Sequence, residues 1–269
     1  MKHRRHNCRA FCTRLLAATG IFSIALAARA VVPWTNNINT NNIITVTNAT
    51  YGANVTNADN AAAIQSAITA ASAGGNVGGL LGGTVRVPPG TYLCGPLTLN
   101  NYVNLQLDAG AILQALPYGT YPGSPYTTAP AAFITANGLH DVSITGQGAI
   151  DGQGDAWWTA YNANSALKRF VLASFQPASS LLLGNVTFSN SPSPNIVIKG
   201  NGGNVTLDGV SVKNPATSPN TDAIDFAETN TVIRNCTLDT GDDNIAFGSS
   251  GGMTRDILVT NCTFLNGHG

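Results

Sequence analysis

The chain has 269 residues, long enough to bury a continuous core, and carries 13 Lys+Arg against 13 Asp+Glu with only 10% of residues charged. Residues 1–30 hold six of the basic residues and no acidic one, so the remainder has seven basic against 13 acidic residues, net −6, which excludes the basic footprint of a nucleic-acid binder. The 29 glycines, with plentiful Asn, Thr, Val and Ala and no long charged or Gln-rich tract, favour strands and turns over helices.

In chain order, Lys2, Arg4, Arg5, Arg9 and Arg14 precede an apolar run from Leu15 to Ala28, and Ala28-Arg29-Ala30 supplies a small-residue cleavage site. Residues 1–30 read as an export signal, with a secreted remainder beginning near Val31. The apolar run is too short for a membrane anchor, which needs about 20 residues. Arg4-Arg5 is a fragment of the twin-arginine signal without the rest of that motif, which favours the general secretory route. Cys8 and Cys12 leave with this segment, and the odd remainder of Cys94, Cys236 and Cys262 argues against a disulfide framework. No CxxC pair or His/Cys cluster suggests a metal.

The next element is a helix: Asp59 as N-cap, then Ala61, Ala62, Ile64, Gln65, Ala67, Ile68 and Ala71 on one face, ending at Gly74-Gly75. Short β-rich runs follow at Thr84–Val87, Val103–Leu107, Val142–Thr145, Asn185–Phe188, Val205–Val212, Thr231–Leu238 and Asp256–Phe264. Gly, Pro, Asn and Asp punctuate them, and no second helical pattern separates them.

These runs repeat. Asn185-Val-Thr, Gly209-Val-Ser, Asn235-Cys-Thr and Asn261-Cys-Thr follow one another at offsets of 24, 26 and 26. A period in that range, made of strands alone, specifies an all-β solenoid, a parallel β-helix, with the helix near Asp59 capping the stack. Equivalent residues then lie about 4.8 Å apart. Val186, Val210, Cys236 and Cys262 form an internal ladder on this reading, with both cysteines in the core. The Asn-x-Thr triplets also match the glycosylation sequon. Asn at turns next to strands explains them better, because they recur with the repeat.

Thr221-Asp222-Ala223-Ile224-Asp225-Phe226 and Asp242-Asp243-Asn244-Ile245-Ala246-Phe247 align without gaps at an offset of 21, making Asp222 and Asp243 neighbours on adjacent coils. Asp242 lies six residues after Cys236 and His268 six after Cys262, so His268 stacks beside Asp242. Crowded carboxylates cannot all ionise freely, and one should hold its proton well above the ordinary value. Glycoside hydrolysis uses such a set: a protonated carboxyl for the leaving oxygen and an ionised one for water. Asp-rich turns also serve simply to satisfy backbone N–H groups, the better reading for a lone Asp-Asp pair. Strict strand alternation would place Asp242 and Asp243 on opposite sides, so a shared cleft requires the backbone to bend there.

Ser218-Pro-Asn-Thr-Asp222, Gly241-Asp-Asp243 and Gly267-His-Gly269 resemble, in order and spacing, three of four signatures of glycoside hydrolase family 28. Gly146-Gln-Gly-Ala-Ile-Asp-Gly-Gln-Gly154 with Trp157-Trp158, and Gly83-Thr-Val-Arg-Val-Pro-Pro-Gly-Thr-Tyr92, resemble further stretches of it. The resemblance runs from about Tyr51 onward. It implies a right-handed β-helix and an inverting polygalacturonase acting on the α-1,4-galacturonosyl bonds of pectin. Asp242 matches the general acid, Asp222 and Asp243 the pair that activates water, His268 the histidine governing the acid's protonation, and Asn220 a substrate contact. No metal or organic cofactor is implied; the expected partner is the polysaccharide, met by a monomer, with no nucleic acid and no membrane. The fourth signature, an Arg-x-Lys for the galacturonate carboxylate, is absent. Residues 31–269 are therefore expected to be one β-helix domain lacking its C-terminal coils. Asn244 stands where many relatives carry Cys, so no disulfide is expected there.

Asp225, Glu228 and Asp239 read as turn-capping or solvent-facing carboxylates, and His140 has no acidic or metal-binding constellation evident around it. Trp157, Trp158 and Tyr161 could form a sugar-stacking shelf, but fit better as plugs between coils. Rhamnogalacturonan or xylogalacturonan hydrolysis, a calcium-dependent pectate lyase, and a non-catalytic β-helical sugar-binding protein are the rival readings. The first is disfavoured for rhamnogalacturonan by Gly267-His-Gly269, and the last leaves the Asp and His register unexplained.

Overall fold

Runs of three to six β-branched and apolar residues, interrupted by Asn, Gly and Asp, are too short to bury a face alone, so each pairs with the run one coil away. A computed structural model describes residues 37–176, 178–200, 202–248 and 253–269. The expected export signal at 1–30 lies outside the described residues.

Among those residues the strands form three parallel sheets. The first contains Ile43–Thr45, Gly83–Val87, Val103–Leu107, Leu139–Gly146, Ala178–Gly184, Val205–Asp208, Thr229–Arg234 and Arg255–Thr260. The second contains Gly90–Cys94, Ala111–Ala115, Ala149–Asp151, Thr187–Ser189, Ser211–Lys213, Thr237–Asp239 and Thr263–Phe264. The third contains Leu97–Thr98, Ile134–Thr135, Ala173–Phe175, Ile196–Lys199, Ile224–Ala227 and Ile245–Phe247. The chain visits the three in turn and begins again, which makes a right-handed parallel β-helix.

The registers are those the repeat requires. Thr187, Ser211, Thr237 and Thr263 are successive partners in the second sheet, and Ile224 pairs with Ile245 in the third. One inward ladder runs Val85, Leu105, Ile144, Leu183, Leu207, Ile233, all fully buried. Each rung seals the one below, so truncating Leu207 to Ala should cost about 2–5 kcal/mol. Val186, Val210 and Cys236 are buried and Cys262 partly so; both cysteines are free thiols, and burial pushes that of Cys236 up to about 12.

The recurrent Asn residues sit at the corner between the first and second sheets. Asn185, Asn235 and Asn261 have φ of 58°, 56° and 51°, and Gly209 takes the same corner at 69°. Only Gly and, among the others, Asn and Asp enter this left-handed region readily. Their side chains stack as well: Asn261 Nδ2 donates to Asn235 Oδ1 at 2.6 Å, and Asn235 Nδ2 to Asp208 Oδ1 at 2.7 Å.

The helix Ala61–Ser72 buries Ile64, Ala67, Ile68 and Ala71 and packs on Ile43–Thr45, Gly83–Val87, Leu97–Thr98 and Val103–Leu107. Its N-cap is Asn60, not Asp59. Asp59 still serves the start, accepting from Ala61 N at 2.8 Å and from Gly95 N at 2.9 Å. A second helix, Gly154–Ala163, is present where the sequence suggested none. Its apolar pattern is little more than Trp157 and Trp158, so packing rather than propensity holds it. Trp157 is fully buried against Tyr118, Tyr121, Tyr126 and Phe170, and Trp158 donates from Nε1 to Ser191 O at 3.0 Å. Both tryptophans are core residues, whereas Tyr161 lies under the Arg169 guanidinium.

Candidate active site

Every coil must turn from the second sheet into the third, and the chemistry-bearing residues lie on that turn in three successive coils. Asp222 precedes strand Ile224–Ala227, Asp242 and Asp243 precede Ile245–Phe247, and His268 follows Thr263–Phe264. None of the four is within a strand, so strand alternation does not apply to them and all can share one side.

Backbone bonds set the register. Ala223 N donates to Asp243 O at 2.9 Å, and Ile224 N to Asn244 O at 3.2 Å, which places Asp222 one coil from Asp243. One coil further, His268 N donates to Asp242 O at 3.2 Å and its Nδ1 lies 3.3 Å from Asp242 Oδ1. Asp242 Oδ1 also accepts from Asp243 N at 3.1 Å.

A buried hydroxyl network ties these turns. Ser218 Oγ and Thr221 Oγ1 are 2.7 Å apart, Thr240 Oγ1 donates to Thr221 O, and Gly241 N donates to Thr221 Oγ1 at 3.1 Å. Asn195 Nδ2 donates to the carbonyls of Thr221 and Asp222, both at 3.1 Å, and its Oδ1 accepts from Asn214 Nδ2 at 3.0 Å. Buried and fully partnered groups of this kind fix a backbone path. They hold the carboxylates at close quarters.

Electrostatics follows from that crowding. The Asp222 carboxyl is pushed up to about 6, first by burial and then by the charges of Asp225, Asp242 and Asp243. Asp225, expected from the sequence to cap a turn or face solvent, is instead ion-paired. It bonds Lys199 Nζ through Oδ2 at 3.3 Å and its charge acts on Asp222. Glu228 is fully buried and accepts from the N–H groups of Gly202, Gly203 and Thr229, a turn-satisfying role. Asp239 accepts from Asn266 Nδ2 at 2.8 Å. His140 does have an acidic neighbour, with Nδ1 2.8 Å from Asp141 Oδ2.

Asn220 is exposed on the same turn, with φ of 56°. Its Oδ1 accepts from Arg169 Nη2 at 2.7 Å. Sequence reasoning passed over Arg169, Asn195, Asn214, Lys199, Thr221 and Thr240. Asn214 and Thr240 could have been found, because they follow Asn190 at the repeat offsets of 24 and 26. Arg169 lies outside the repeat and carries no such signal.

The arrangement therefore gathers the carboxyls of Asp222, Asp242 and Asp243, the first held above the ordinary carboxylate range, with a histidine beside Asp242. Against known proteins, the model of glycosyl hydrolases family 28 matches residues 83–269. The endo-polygalacturonase of Pectobacterium carotovorum subsp. carotovorum is 31% identical over 203 residues, covering 66% of this chain and 50% of that protein. Among solved structures, the polygalacturonase from Erwinia carotovora ssp. carotovora superposes with a TM-score of 0.70 at 26% identity, over 88% of this chain and 65% of that one. The family 28 exopolygalacturonase of Yersinia enterocolitica gives 0.69 at 25% identity, over 84% and 49%. The chain spans about half the length of the curated relatives it matches. With the family's model lying across most of the β-helix and over every residue of the carboxylate cluster, the chain belongs to glycosyl hydrolase family 28.

Proposed function

We propose that this chain carries the catalytic centre of an inverting polygalacturonase, a glycoside hydrolase that cleaves α-1,4-galacturonosyl linkages in pectin. The observation that carries the reading is the paired register: Asp222 one coil from Asp243, and Asp242 against His268 at 3.3 Å. The polygalacturonase relatives support the substrate class. Residues 1–30, with their basic start, apolar run and Ala28-Arg29-Ala30, support export to where pectin is met. Among the described residues, no helix is long and apolar enough to cross a membrane.

In this mechanism protonated Asp242 gives its proton to the glycosidic oxygen as the C1–O bond breaks. Water enters from the opposite face, loses a proton to the Asp222/Asp243 pair, and leaves the new C1–O bond inverted. A base works best with its pKa near the working pH, which suits Asp222 at about 6. His268 beside Asp242 governs that carboxyl's proton, and Asn220 meets the sugar chain.

The raised Asp222 carboxyl favours a second assignment within the same reaction, in which Asp222 donates the proton and Asp242 takes that of water. Incubation with polygalacturonate, with reducing ends and ultraviolet absorbance both followed, tests the activity. New reducing ends without an absorbing unsaturated product are expected. An absorbing product that needs calcium would instead make the protein a lyase.

A further inference from the structure

The turn bearing Asn220 and Asp222 is held from its N-terminal side by one guanidinium. Arg169 lies between helix Gly154–Ala163 and strand Ala173–Phe175. Its Nη1 donates to Pro192 O and to Pro219 O, each at 2.7 Å, and its Nη2 donates to Asn220 Oδ1 at 2.7 Å. Its Cζ stands 3.6 Å from the centroid of the Tyr161 ring. Pro192 and Pro219 occupy the second-to-third-sheet turn of two successive coils, so Arg169 joins those turns to the helix.

Two features make this more than a packing contact. Among the described residues no carboxylate lies within ion-pair distance of Arg169, so the contacts that hold it are two carbonyl oxygens, an amide oxygen and an aromatic face. A guanidinium has donors and no acceptor, so it fixes which end of the Asn220 amide faces it: the oxygen must, and the Nδ2 group is turned away, donating to no partner among the described residues. Asn220 is exposed, in a left-handed conformation, two residues before Asp222.

We propose that Arg169 is a positioning residue for the substrate: by holding Asn220 Oδ1 it presents Asn220 Nδ2 as a donor to a hydroxyl or carboxylate oxygen of the galacturonan chain, and by holding Pro219 O it fixes the turn that delivers Asp222. This rests on the polygalacturonase reading for the identity of the chain that Asn220 meets.

The test is steady-state kinetics on polygalacturonate for Arg169→Gln, Arg169→Lys, Asn220→Ala and the Arg169→Gln/Asn220→Ala pair, with 15N relaxation of the Asn220 side-chain amide in parallel. Arg169→Gln should raise KM about tenfold, the worth of one lost hydrogen bond, with a smaller change in kcat. Asn220→Ala should do the same, and the double variant should bind no worse than Asn220→Ala alone, because in substrate binding the two residues act through one contact, the hold on Pro219 O acting on kcat instead. Arg169→Lys, which keeps the charge and part of the bonding, should recover some of the loss. The Asn220 amide should be rigid in the wild type and mobile in Arg169→Gln. Additive KM losses, an unchanged KM with only a lower Tm, or an Asn220 amide equally mobile in both proteins would overturn the proposal. Should Arg169→Gln fail to fold, Arg169→Lys and Asn220→Ala carry the comparison. A wild type without hydrolytic activity sinks the substrate reading, and the relaxation measurement still decides whether Arg169 orients Asn220.

Discussion

Asp242 and His268 meet twice across one coil, once through the backbone, where His268 N donates to Asp242 O at 3.2 Å, and once through side chains, with Nδ1 3.3 Å from Oδ1. The backbone bond fixes the separation that the side chains then use. His268 is mostly exposed, so the pair contributes little to stability.

Asp242→Asn should therefore lower kcat by about 10²–10⁴ while leaving fold and oligogalacturonate affinity close to wild type, since the amide fills the same space and cannot donate the proton. Turnover on polygalacturonate and calorimetric binding of an oligomer measure the two halves. Near wild-type turnover would remove Asp242 from the acid's role.

The pH profile distinguishes the two assignments of Asp222. With its carboxyl at about 6, Asp222 can accept a proton from water only once ionised, so kcat/KM should fall as pH drops through that value. A fall as pH rises through the same value would make Asp222 the acid. Asp225 faces it, paired with Lys199, and Asp242 and Asp243 crowd it from the next coil. Asp225→Asn removes one of the charges that raise Asp222 and should move the limb to lower pH with a similar plateau rate. Asp222→Asn should abolish the limb.

Stereochemistry is the third measurement. An acid facing a water-activating pair across room for that water, roughly 6.5–9.5 Å between carboxyls, inverts the anomeric centre. Proton NMR of the first product from a galacturonan oligomer should show the β-anomer, followed by mutarotation. A first-formed α-anomer would contradict inversion.

How much of this was legible beforehand depended on periodicity. The offsets of 24 and 26 became strand registers at Thr187, Ser211, Thr237 and Thr263, and the offset of 21 became the pairing of Ile224 with Ile245. A solenoid translates sequence spacing directly into contact, so Asp222, Asp243, Asp242 and His268 could be grouped from spacing alone. Contacts that leave the repeat were not legible. The helix Gly154–Ala163 is held by the aromatic cage around Trp157, whose members come from the loop that carries Tyr118, Tyr121 and Tyr126 and from Phe170. Arg169 reaches residues 23 and 51 positions away, and Asp225 acquires its partner from Lys199 on the preceding coil. Pattern cannot see a side chain that bridges coils out of register.

The final expectation concerns Gly241, which belongs to the turn bearing Asp242 and Asp243 and packs against the turn bearing Asp222. A Cβ built there would lie 2.2 Å from Ser218 O, 2.7 Å from Ser218 Oγ and 2.8 Å from Pro215 O. Two of these are backbone atoms and cannot swing aside, so Gly241→Ala must push residues 215–222 away from residues 240–243. That displacement strains the buried network of Ser218, Thr221 and Thr240, at a cost of about 1–3 kcal/mol by the usual scale of overpacking. It also separates Asp222 from Asp242 and Asp243, and a shift near 1 Å in a catalytic group can cost about 10²-fold in rate. Gly241→Ala should thus lose far more activity than stability, read as kcat/KM against Tm. Gly75→Ala is the matched control: nothing lies within 4 Å of its added Cβ, and its φ is outside the left-handed region. It should leave rate unchanged and raise stability by up to about 1 kcal/mol, through the unfolded chain alone. Wild-type kcat/KM in a folded Gly241→Ala protein would show that the spacing of these two turns does not limit the reaction.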